Sequence, residues 1–423
     1  MALADAWQAL GGVPGEVDRL VVTGPPRVLS SAFAVTAAGV AAVGASLLAA
    51  TAGPVGLDTR ALAVALRSER WVLRDGRAPG TPFDPLSTFH RTADGWLRLH
   101  ANYPWHRAAA LRVLGCAEPD MPAAVAERPG EELEDALHAA GGIGAVVRTA
   151  ARWAEVAGPP PPLVGHRVLG PAPPRPGRRP RVLDLTRVIA GPVATRTLTV
   201  HGADVLRLDP PDRPELPLQW LDTLPGKRSA LLDLRDAAVR EELLAGADVV
   251  VTGYRPGALD AHGLAPTALA ERHPGLVVAT LSAWGPDGPW AGRRGFDSIV
   301  QAACGIALAE GSRAGSDGTP GALPAQVLDH ATGYLLAAAV LRALAEQRRA
   351  GGTHHVRMSL AGTAAWLTEL APEEGEVADV DPAPHLQRVG ALTLAAPPGT
   401  VGGAALRWPD REPSFGTDAP AWR

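Results

Sequence analysis

The stretch Arg181-Val-Leu-Asp-Leu-Thr-Arg-Val-Ile-Ala-Gly-Pro192 opens a regular alternation of apolar runs and helical segments. Its first five residues predict a buried strand, and Gly191-Pro192 predicts a turn into a helix. Further strands are predicted at Ala203–Asp209, Ser229–Leu234, Ala247–Thr252 and Leu276–Leu281, with helices between several of them. Strands and helices that alternate at this spacing indicate an α/β fold, in which helices cover both faces of a parallel sheet.

Composition narrows the classes of function. The chain has 423 residues, a net formal charge of −4 at pH 7 and only 4% aromatic residues. Because no run of Lys and Arg alternates with aromatic residues, nucleic acid is not an expected partner. The two cysteines, Cys116 and Cys304, lie far apart and have no metal-ligand spacing. They predict neither a disulfide framework nor a metal site, and they fit a cytoplasmic protein.

Residues 31–57 carry no charge and are numerous enough to span a bilayer. The alternative is a buried helix of a soluble protein. Because the segment is dominated by Ala, Gly, Ser and Thr, which add little membrane-transfer energy, the buried helix is favoured and no membrane is expected as a partner.

Proline-rich sequence and an internal similarity divide the chain. Val55–Leu66 resembles Val356–Leu367, and in each case a long apolar segment precedes the similar residues. We therefore expect a partial first repeat over 1–165, containing a long helix and a small domain. A proline-rich linker over 166–180, a larger domain over 181–370 and a Pro/Gly-rich C-terminal tail over 371–423 are expected to follow.

The segment Pro324-Ala-Gln-Val-Leu-Asp-His-Ala-Thr-Gly-Tyr334 places one carboxylate, Asp329, at the head of a long apolar helix. Two interpretations are open for it. Asp329 caps the helix by accepting hydrogen bonds from backbone N–H groups. Alternatively, it is a nucleophile that attacks a thioester or another activated acyl group. Ser30, at the corresponding place in the first repeat, has no base beside it, so that repeat is expected to be inert.

Five blocks precede this segment in a fixed order. They are Asp184–Pro192, His201–Asp209, Gly226–Leu234, Ala247–Gly257 and Trp284–Pro289. Together with Asp329-x-x-x-Gly333 they resemble the class III CoA-transferases, a family that includes formyl-CoA transferases and 2-methylacyl-CoA racemases. The resemblance implies a Rossmann-like parallel-sheet large domain that binds CoA, plus a smaller α+β domain, in a fused or rearranged member of the family.

The resemblance also implies a mechanism. Asp329 would attack an acyl-CoA to give a mixed anhydride and then an aspartyl-CoA thioester, which a small carboxylic acid attacks in turn. Coenzyme A or acyl-CoA is thus a substrate, and no metal or tightly bound cofactor is implied. The implied CoA contacts are Ile189, Ala190, Gly191, Lys227, Arg228, Tyr254, Arg255, Arg294, Gly295, Phe296 and Asp297.

Physical chemistry supports some of these roles and leaves alternatives for others. Cations such as Lys227, Arg228 and Arg255 suit phosphates, and the ring of Tyr254 suits adenine. The alternative for Lys227-Arg228 is two solvated charges before a strand. For Gly191-Pro192 it is an ordinary turn between strand and helix.

Two other functions remain open at this point. A racemase needs a proton-carrying His where this chain has Phe296, which disfavours that activity. A catalytically degenerate CoA-binding or scaffold protein is the second alternative, since Ile189, Pro210 and Ala261 stand where relatives have Gln or Arg. The family resemblance leaves both a homodimer and an intrachain pseudo-dimer open.

Overall fold

The computed structural model describes residues 2–175, 177–315 and 318–423. Its helices are α1 (Ala2–Ala9), α2 (Val35–Ala50), α3 (Thr59–Ala65), α4 (Pro104–Leu114), α5 (Met121–Ala126), α6 (Gly130–Ala139), α7 (Ala150–Ala157), α8 (Ala190–Val200), α9 (Pro217–Thr223), α10 (Ala237–Gly246), α11 (Pro266–Arg272), α12 (Asp297–Ala303), α13 (Ile306–Arg313), α14 (Val327–Ala350) and α15 (Leu360–Glu369). Its strands are β1 (Leu20–Thr23), β2 (Val55–Asp58), β3 (Leu73–Arg74), β4 (Phe89–Arg91), β5 (Trp96–Leu99), β6 (Gly144–Val146), β7 (Gly165–Gly170), β8 (Arg181–Leu185), β9 (Asp204–Asp209), β10 (Arg228–Leu231), β11 (Val249–Thr252), β12 (Val277–Ser282), β13 (Thr353–Ser359), β14 (Leu386–Val389), β15 (Leu392–Ala395), β16 (Thr400–Val401) and β17 (Ala404–Ala405).

The largest sheet has seven strands in the order β10-β9-β8-β11-β12-β13-β7. All neighbours are parallel except β7, which pairs antiparallel with β13. The first six strands follow the order 3-2-1-4-5-6 of doubly wound dinucleotide-binding folds, which reverses between β8 and β11. The predicted α/β fold with a parallel sheet is confirmed. The run Val249–Thr252 shows why, since all four residues are buried, as expected of a strand covered on both faces.

Helices α8 and α14 lie on one face of this sheet, while α10 and α11 cover the other. Helix α14 is long and apolar enough to cross a membrane, but 89% of its apolar window is buried within the protein. The uncharged segment 31–57 contains the shorter helix α2, which packs against α14. Both apolar helices therefore contribute to one hydrophobic core.

The N-terminal part contains a smaller α+β unit. Strands β4, β5 and β6 form an antiparallel sheet, and α4, α5 and α6 pack against it around a core that includes Leu97, Met121 and Leu133. This agrees with the predicted smaller α+β domain.

The two segments compared in the sequence have the same local architecture. Each runs helix, strand, helix, as α2-β2-α3 and as α14-β13-α15. Asp58 and Ser359 occupy equivalent places, and the side chain of each caps the helix that follows. Strand β2 also has one parallel and one antiparallel neighbour, as β13 does. These features support the predicted internal repeat.

Two regions contain more structure than their sequence suggests. Residues 165–170, most of which were expected to lie in the proline-rich linker, form the edge strand β7. An edge position tolerates neighbouring prolines, because only one side of the strand needs its N–H groups. The expected C-terminal tail contains β14–β17, of which β15 pairs with β3 and β16 with β2. Because these strands pair with partners hundreds of residues away, the sequence of the tail itself contains no local pattern that predicts them.

Candidate active site

A cavity of about 360 Å³ lies at the carboxyl ends of β8, β11 and β12. Its lining comes from the residues that follow these strands, from residues 293–296, from Asp329 in the first turn of α14, and from the N-terminal unit. The point where strand order reverses is where doubly wound sheets bind ligands, because the loops diverge there and leave a crevice. The topology thus supplies the cavity, and the loops supply its chemistry.

Asp329 is 94% buried, with 6% of its surface exposed, yet it lines this cavity. Within the described residues, its carboxylate accepts no hydrogen bond from a backbone N–H group. Instead, the backbone N–H of Asp329 donates to Oδ2 of Asp297 over 3.0 Å. The capping interpretation of Asp329 is therefore wrong, because Asp297 serves the start of α14. The Asp329 carboxylate is left free to meet a ligand.

Two buried carboxyl groups, those of Asp297 and Glu69, act on Asp329. Burial, followed by the charges of Asp297 and Glu69, raises the pKa of Asp329 well above its ordinary value. Burial likewise raises the pKa of Asp297 to about 6, although hydrogen bonds from Asp329 and Gln301 oppose the rise. Glu69 lies in the turn between α3 and β3, and its Oε2 lies 3.5 Å from Nε2 of His330. A carboxylate whose charge is so poorly solvated binds a proton or an electrophilic carbon more readily than an exposed one.

Three arginines of the cavity, Arg213, Arg255 and Arg294, form no ion pair with any carboxylate in the described part of the chain. The guanidinium of Arg255 donates only to the carbonyl oxygen of Gly292, over 3.1 Å. Burial, followed by the charges of Arg255 and Arg213, lowers the pKa of Arg294. Guanidinium groups held together without counter-charge are suited to bind phosphate oxygens.

An aromatic wall comes from the N-terminal unit. The rings of Tyr103 and Trp105 stack with centroids 4.8 Å apart. The guanidinium of Arg187 lies over both, at 5.3 and 5.8 Å, and that of Arg213 lies 5.6 Å from Trp105. Sequence reasoning did not identify these aromatic residues. They lie in a different unit from Asp329, and only the tertiary fold brings them to the cavity.

The loop after β8 is strained. Val188 lines the cavity and has φ = 68°, a left-handed conformation that a β-branched residue rarely adopts. Its backbone N–H donates to Oε2 of Glu215 over 2.9 Å, and the hydroxyl of Tyr103 donates to the same carboxylate. Glu215 in turn pairs with buried Arg207 at 3.1 Å. Strain of this kind, held by a buried network, is typical of binding and catalytic loops.

Most residues implied by the resemblance do lie together. Those that line the cavity with Asp329 are Ile189, Ala190, Tyr254, Arg255, Arg294, Gly295 and Phe296. The sequence did not single out Arg187, Arg213 and Arg293, which also line it. Arg187 was within reach of sequence reasoning, since it lies inside the block Asp184–Pro192.

Four implied contacts do not line this cavity. Lys227 is fully buried and pairs with Asp184 at 3.0 Å, so its charge serves the core. Arg228 begins β10 at the opposite edge of the sheet and pairs with Asp204 at 3.0 Å.

The other two are Gly191 and Asp297. A Cβ on Gly191 would lie 2.4 Å from Thr186, so this glycine permits close packing between the start of α8 and the loop before it. Asp297 is fully buried behind Asp329 and does not line the cavity.

Histidines surround Phe296, the position at which a racemase would carry its proton donor. The ring of His100 stacks on Phe296 with centroids 3.9 Å apart, and His106 lies 6.0 Å away. Burial lowers the pKa of His100 to about 3 and that of His106 to about 4. Neutral imidazoles with such low pKa values are too weak as bases to remove an α-proton. No group of three or more His, Cys, Asp or Glu side chains in the described residues is arranged to hold a metal.

Comparison with known proteins places these features in a family. Residues 180–398 match the model of CoA-transferase family III. The chain is 32% identical over 240 residues to the probable fatty acyl-CoA transferase Rv3272 of Mycobacterium tuberculosis, covering 52% of this chain and 60% of that protein. It is 30% identical over 195 residues to the formyl-CoA:oxalate CoA-transferase of Rhodopseudomonas palustris, covering 43% of this chain and 45% of that one.

A crystal structure of Rv3272 matches with a TM-score of 0.41 at 34% identity, covering 47% of this chain and 58% of that chain. The chain thus spans less than two thirds of the length of these relatives. With the match over the Rossmann-like domain and Asp329, this chain belongs to CoA-transferase family III.

Proposed function

We propose that this protein is an acyl-CoA:carboxylate CoA-transferase in which Asp329 is the nucleophile. One observation carries the proposal. Among the residues that the structure describes, a buried carboxylate that makes no capping bond lines the same cavity as three arginines without carboxylate partners. The first feature suits attack on a thioester, and the second suits the phosphates of CoA. The names of the relatives, which describe transfer from acyl-CoA and formyl-CoA, agree with this reaction.

The chemistry balances without ATP or a redox partner. An oxygen of Asp329 attacks the thioester carbonyl, the C–S bond breaks, and CoA thiolate leaves behind a mixed anhydride. The thiolate attacks the aspartyl carbonyl, which releases the donor acid and forms an aspartyl-CoA thioester. The acceptor carboxylate attacks that thioester and expels the thiolate. Attack of the thiolate on the acceptor's acyl carbon then gives the new acyl-CoA and regenerates Asp329.

Each nearby group has a defined part in this scheme. Arg213, Arg255 and Arg294 hold CoA phosphates, so the thiolate stays near the anhydride between steps. Asp297 is a positioning residue, since it fixes the backbone of Asp329 through the 3.0 Å hydrogen bond. Burial keeps water away from the anhydride. It thereby prevents hydrolysis, which would waste the energy of the thioester.

Covalent capture tests the proposal. The full chain is incubated with a panel of acyl-CoA thioesters, treated with hydroxylamine and digested, and the peptide carrying Asp329 is examined by mass spectrometry. We expect a hydroxamate on Asp329 that is absent without acyl-CoA and absent in Asp329→Ala. Asp94→Asn, a change in the small domain remote from the cavity, is the matched control and should keep the adduct.

Isotope transfer makes the test specific for the mechanism. When the acceptor acid carries ¹⁸O in both carboxyl oxygens, one labelled oxygen remains on Asp329 after each turnover. General-base catalysis would leave Asp329 unlabelled and would contradict the proposed mechanism. If no thioester of the panel gives an adduct, the CoA-binding scaffold replaces the enzyme as the explanation.

The proposal extends to assembly and location. Helix α2 of the first repeat packs against α14 of the second within one chain, which supports an intrachain pseudo-dimer. We also propose a cytoplasmic location, with which the two free cysteines, Cys116 and Cys304, agree. Sedimentation at several protein concentrations tests the first point, since a pseudo-dimer predicts a monomeric chain.

A further inference from the structure

We infer that a small second cavity beside Asp329 receives the acyl group of the substrate and selects a short acyl group that carries a hydroxyl. This cavity has a volume of about 20 Å³. It adjoins the larger cavity, because both are lined by Asp329, Tyr103, Val188, Ile189 and Phe296. The inference rests on the proposed function, since it concerns the acyl group that Asp329 attacks.

The position of Asp329 assigns the two cavities to the two parts of an acyl-CoA. The larger cavity contains the arginines that suit the phosphates of CoA. During attack the thioester carbon must lie against the Asp329 carboxylate, with the CoA sulfur on one side and the acyl group on the other. Because Asp329 lines both cavities, CoA in the larger cavity directs the acyl group into the smaller one.

The volume of the small cavity limits the length of the acyl group. A volume of about 10–15 Å³ holds one water molecule, so a cavity of about 20 Å³ has room for about two non-hydrogen atoms beyond the acyl carbon. Large side chains, those of Phe83, Leu216 and Phe296, contribute to its lining. A long alkyl chain could enter only if such side chains moved.

Two buried polar side chains of this lining have no partner among the described residues. Gln219 in α9 is 6% exposed, and neither its amide oxygen nor its amide nitrogen makes a hydrogen bond. His100, which follows β5, is 4% exposed, and neither of its ring nitrogens is hydrogen-bonded. Because a buried polar group without a partner is unfavourable, both side chains favour a ligand that supplies the missing hydrogen bonds.

A hydroxyl group matches this lining better than a methyl or a carboxylate group does. A hydroxyl both donates and accepts a hydrogen bond, and the Gln219 amide and the neutral His100 imidazole each offer one donor and one acceptor. A methyl group would leave both side chains unpaired. Glu69 and Asp329 line the cavity, whereas no Lys or Arg lines it in the part of the chain that the structure describes. A second carboxylate on the acyl group would therefore meet like charge.

Binding to Asp329→Asn, which cannot form the covalent adduct, tests the selection by itself. Titration calorimetry with the full chain compares glycolyl-CoA, acetyl-CoA and oxalyl-CoA, which differ in one small group. We expect glycolyl-CoA to bind at least tenfold more tightly than either of the others. Because one protein is compared with three thioesters, the result does not depend on the folding of a pocket variant. Equal binding of glycolyl-CoA and acetyl-CoA would overturn the inference.

Variants of the lining locate the selection. In the same background, Gln219→Leu should abolish the preference for glycolyl-CoA over acetyl-CoA. Gln8→Leu, the same change at an exposed position of α1, is the matched control and should keep it. Phe83→Ala enlarges the small cavity and should tighten the binding of butanoyl-CoA at least tenfold. A preference that survives Gln219→Leu unchanged would refute selection by this cavity.

The wild-type chain separates this inference from the proposed function. Hydroxamate formation on Asp329 with glycolyl-CoA and acetyl-CoA reads the nucleophile, whereas the calorimetry reads the acyl cavity. Adducts with both thioesters, combined with equal binding, would keep the transferase and refute the selection. A binding preference without any adduct would keep the acyl cavity and contradict Asp329 as the nucleophile.

Discussion

Replacing Asp329 by Asn is expected to abolish the acyl adduct and at the same time to stabilise the fold. The amide has nearly the shape of the carboxyl group but carries no charge. At neutral pH the wild-type site holds Asp297, Asp329 and Glu69 close together in a buried region, and this arrangement raises the pKa of Asp329. Removing the charge of Asp329 removes the repulsion among these carboxylates, and it also removes the proposed nucleophile.

The pKa of Asp297 shows how unfavourable an ionised carboxyl group is in this region. Its pKa rises from 3.8 to about 6. At about 1.4 kcal/mol per pKa unit, this corresponds to about 3 kcal/mol of unfavourable free energy when the carboxyl group is ionised. Burial causes this rise and remains in the variant. The variant removes only the repulsion between the two carboxylates, for which we expect a gain in the free energy of unfolding of about 1–2 kcal/mol at pH 7.5.

The pH dependence of stability shows whether the gain in Asp329→Asn comes from the lost charge or from changed packing. Because the folded-state pKa of Asp297 lies above the unfolded value, the folded protein binds the extra proton between about pH 4 and pH 6. Wild-type stability should therefore fall as pH rises through this window. The advantage of Asp329→Asn should be present at pH 7.5 and absent near pH 4, where both carboxyl groups are protonated.

Urea unfolding at the two pH values measures this difference. Asp222→Asn is the matched control with the opposite sign, because buried Asp222 pairs with buried Arg196 at 2.9 Å. Loss of the Asp222 charge leaves Arg196 buried without its partner and should destabilise the protein by about 3 kcal/mol. The reasoning is refuted if Asp329→Asn is no more stable than the wild type at pH 7.5, or if its advantage persists at pH 4.

Three further changes test other parts of the site. Glu69→Gln removes a charge that raises the pKa of Asp329, so the acid limb of the pH profile for adduct formation should move to lower pH by less than about one unit; no shift would contradict the coupling. Arg213→Ala should raise the KM for acyl-CoA about tenfold without lowering Tm, as expected for a lost charge-assisted hydrogen bond; steady-state kinetics and thermal unfolding measure the two quantities. Lys227→Met leaves Asp184 buried without its cation, and urea unfolding should show a loss of about 3–5 kcal/mol; a stable variant with weakened CoA binding would restore Lys227 as a CoA contact.

Sequence reasoning succeeded where local pattern controls structure. The apolar runs at 181–185, 203–209 and 247–252 identified strands, because a strand buried on both faces must be apolar throughout. The alternation with helices then predicted the parallel sheet. Asp329 was singled out as a candidate for a similar reason, since a charged residue in the first turn of an otherwise apolar helix stands out in the sequence. Its catalytic role stays a prediction.

Local pattern failed where charges compete for partners. Lys227-Arg228 resembles a pair of phosphate ligands in sequence, yet Lys227 meets Asp184 in the core and Arg228 meets Asp204 at the far edge. Neighbours along an extended strand point to opposite sides, and the sequence does not state which side faces a ligand. The same limit hid the edge strand β7, whose pairing with β13 depends on residues almost two hundred positions away.

The amino-acid sequence by itself determined the doubly wound sheet and the family, and it singled out Asp329 as the candidate nucleophile, because these depend on periodicity and on residues that lie close together along the chain. Only the tertiary structure decided how Asp329 is tuned, by bringing Asp297 and Glu69 close to it, and how the cavity is walled, by folding Tyr103 and Trp105 against Arg187. Electrostatic coupling and stacking depend on distances in space. The number of residues between two positions does not determine their distance in space when they belong to different units of the fold.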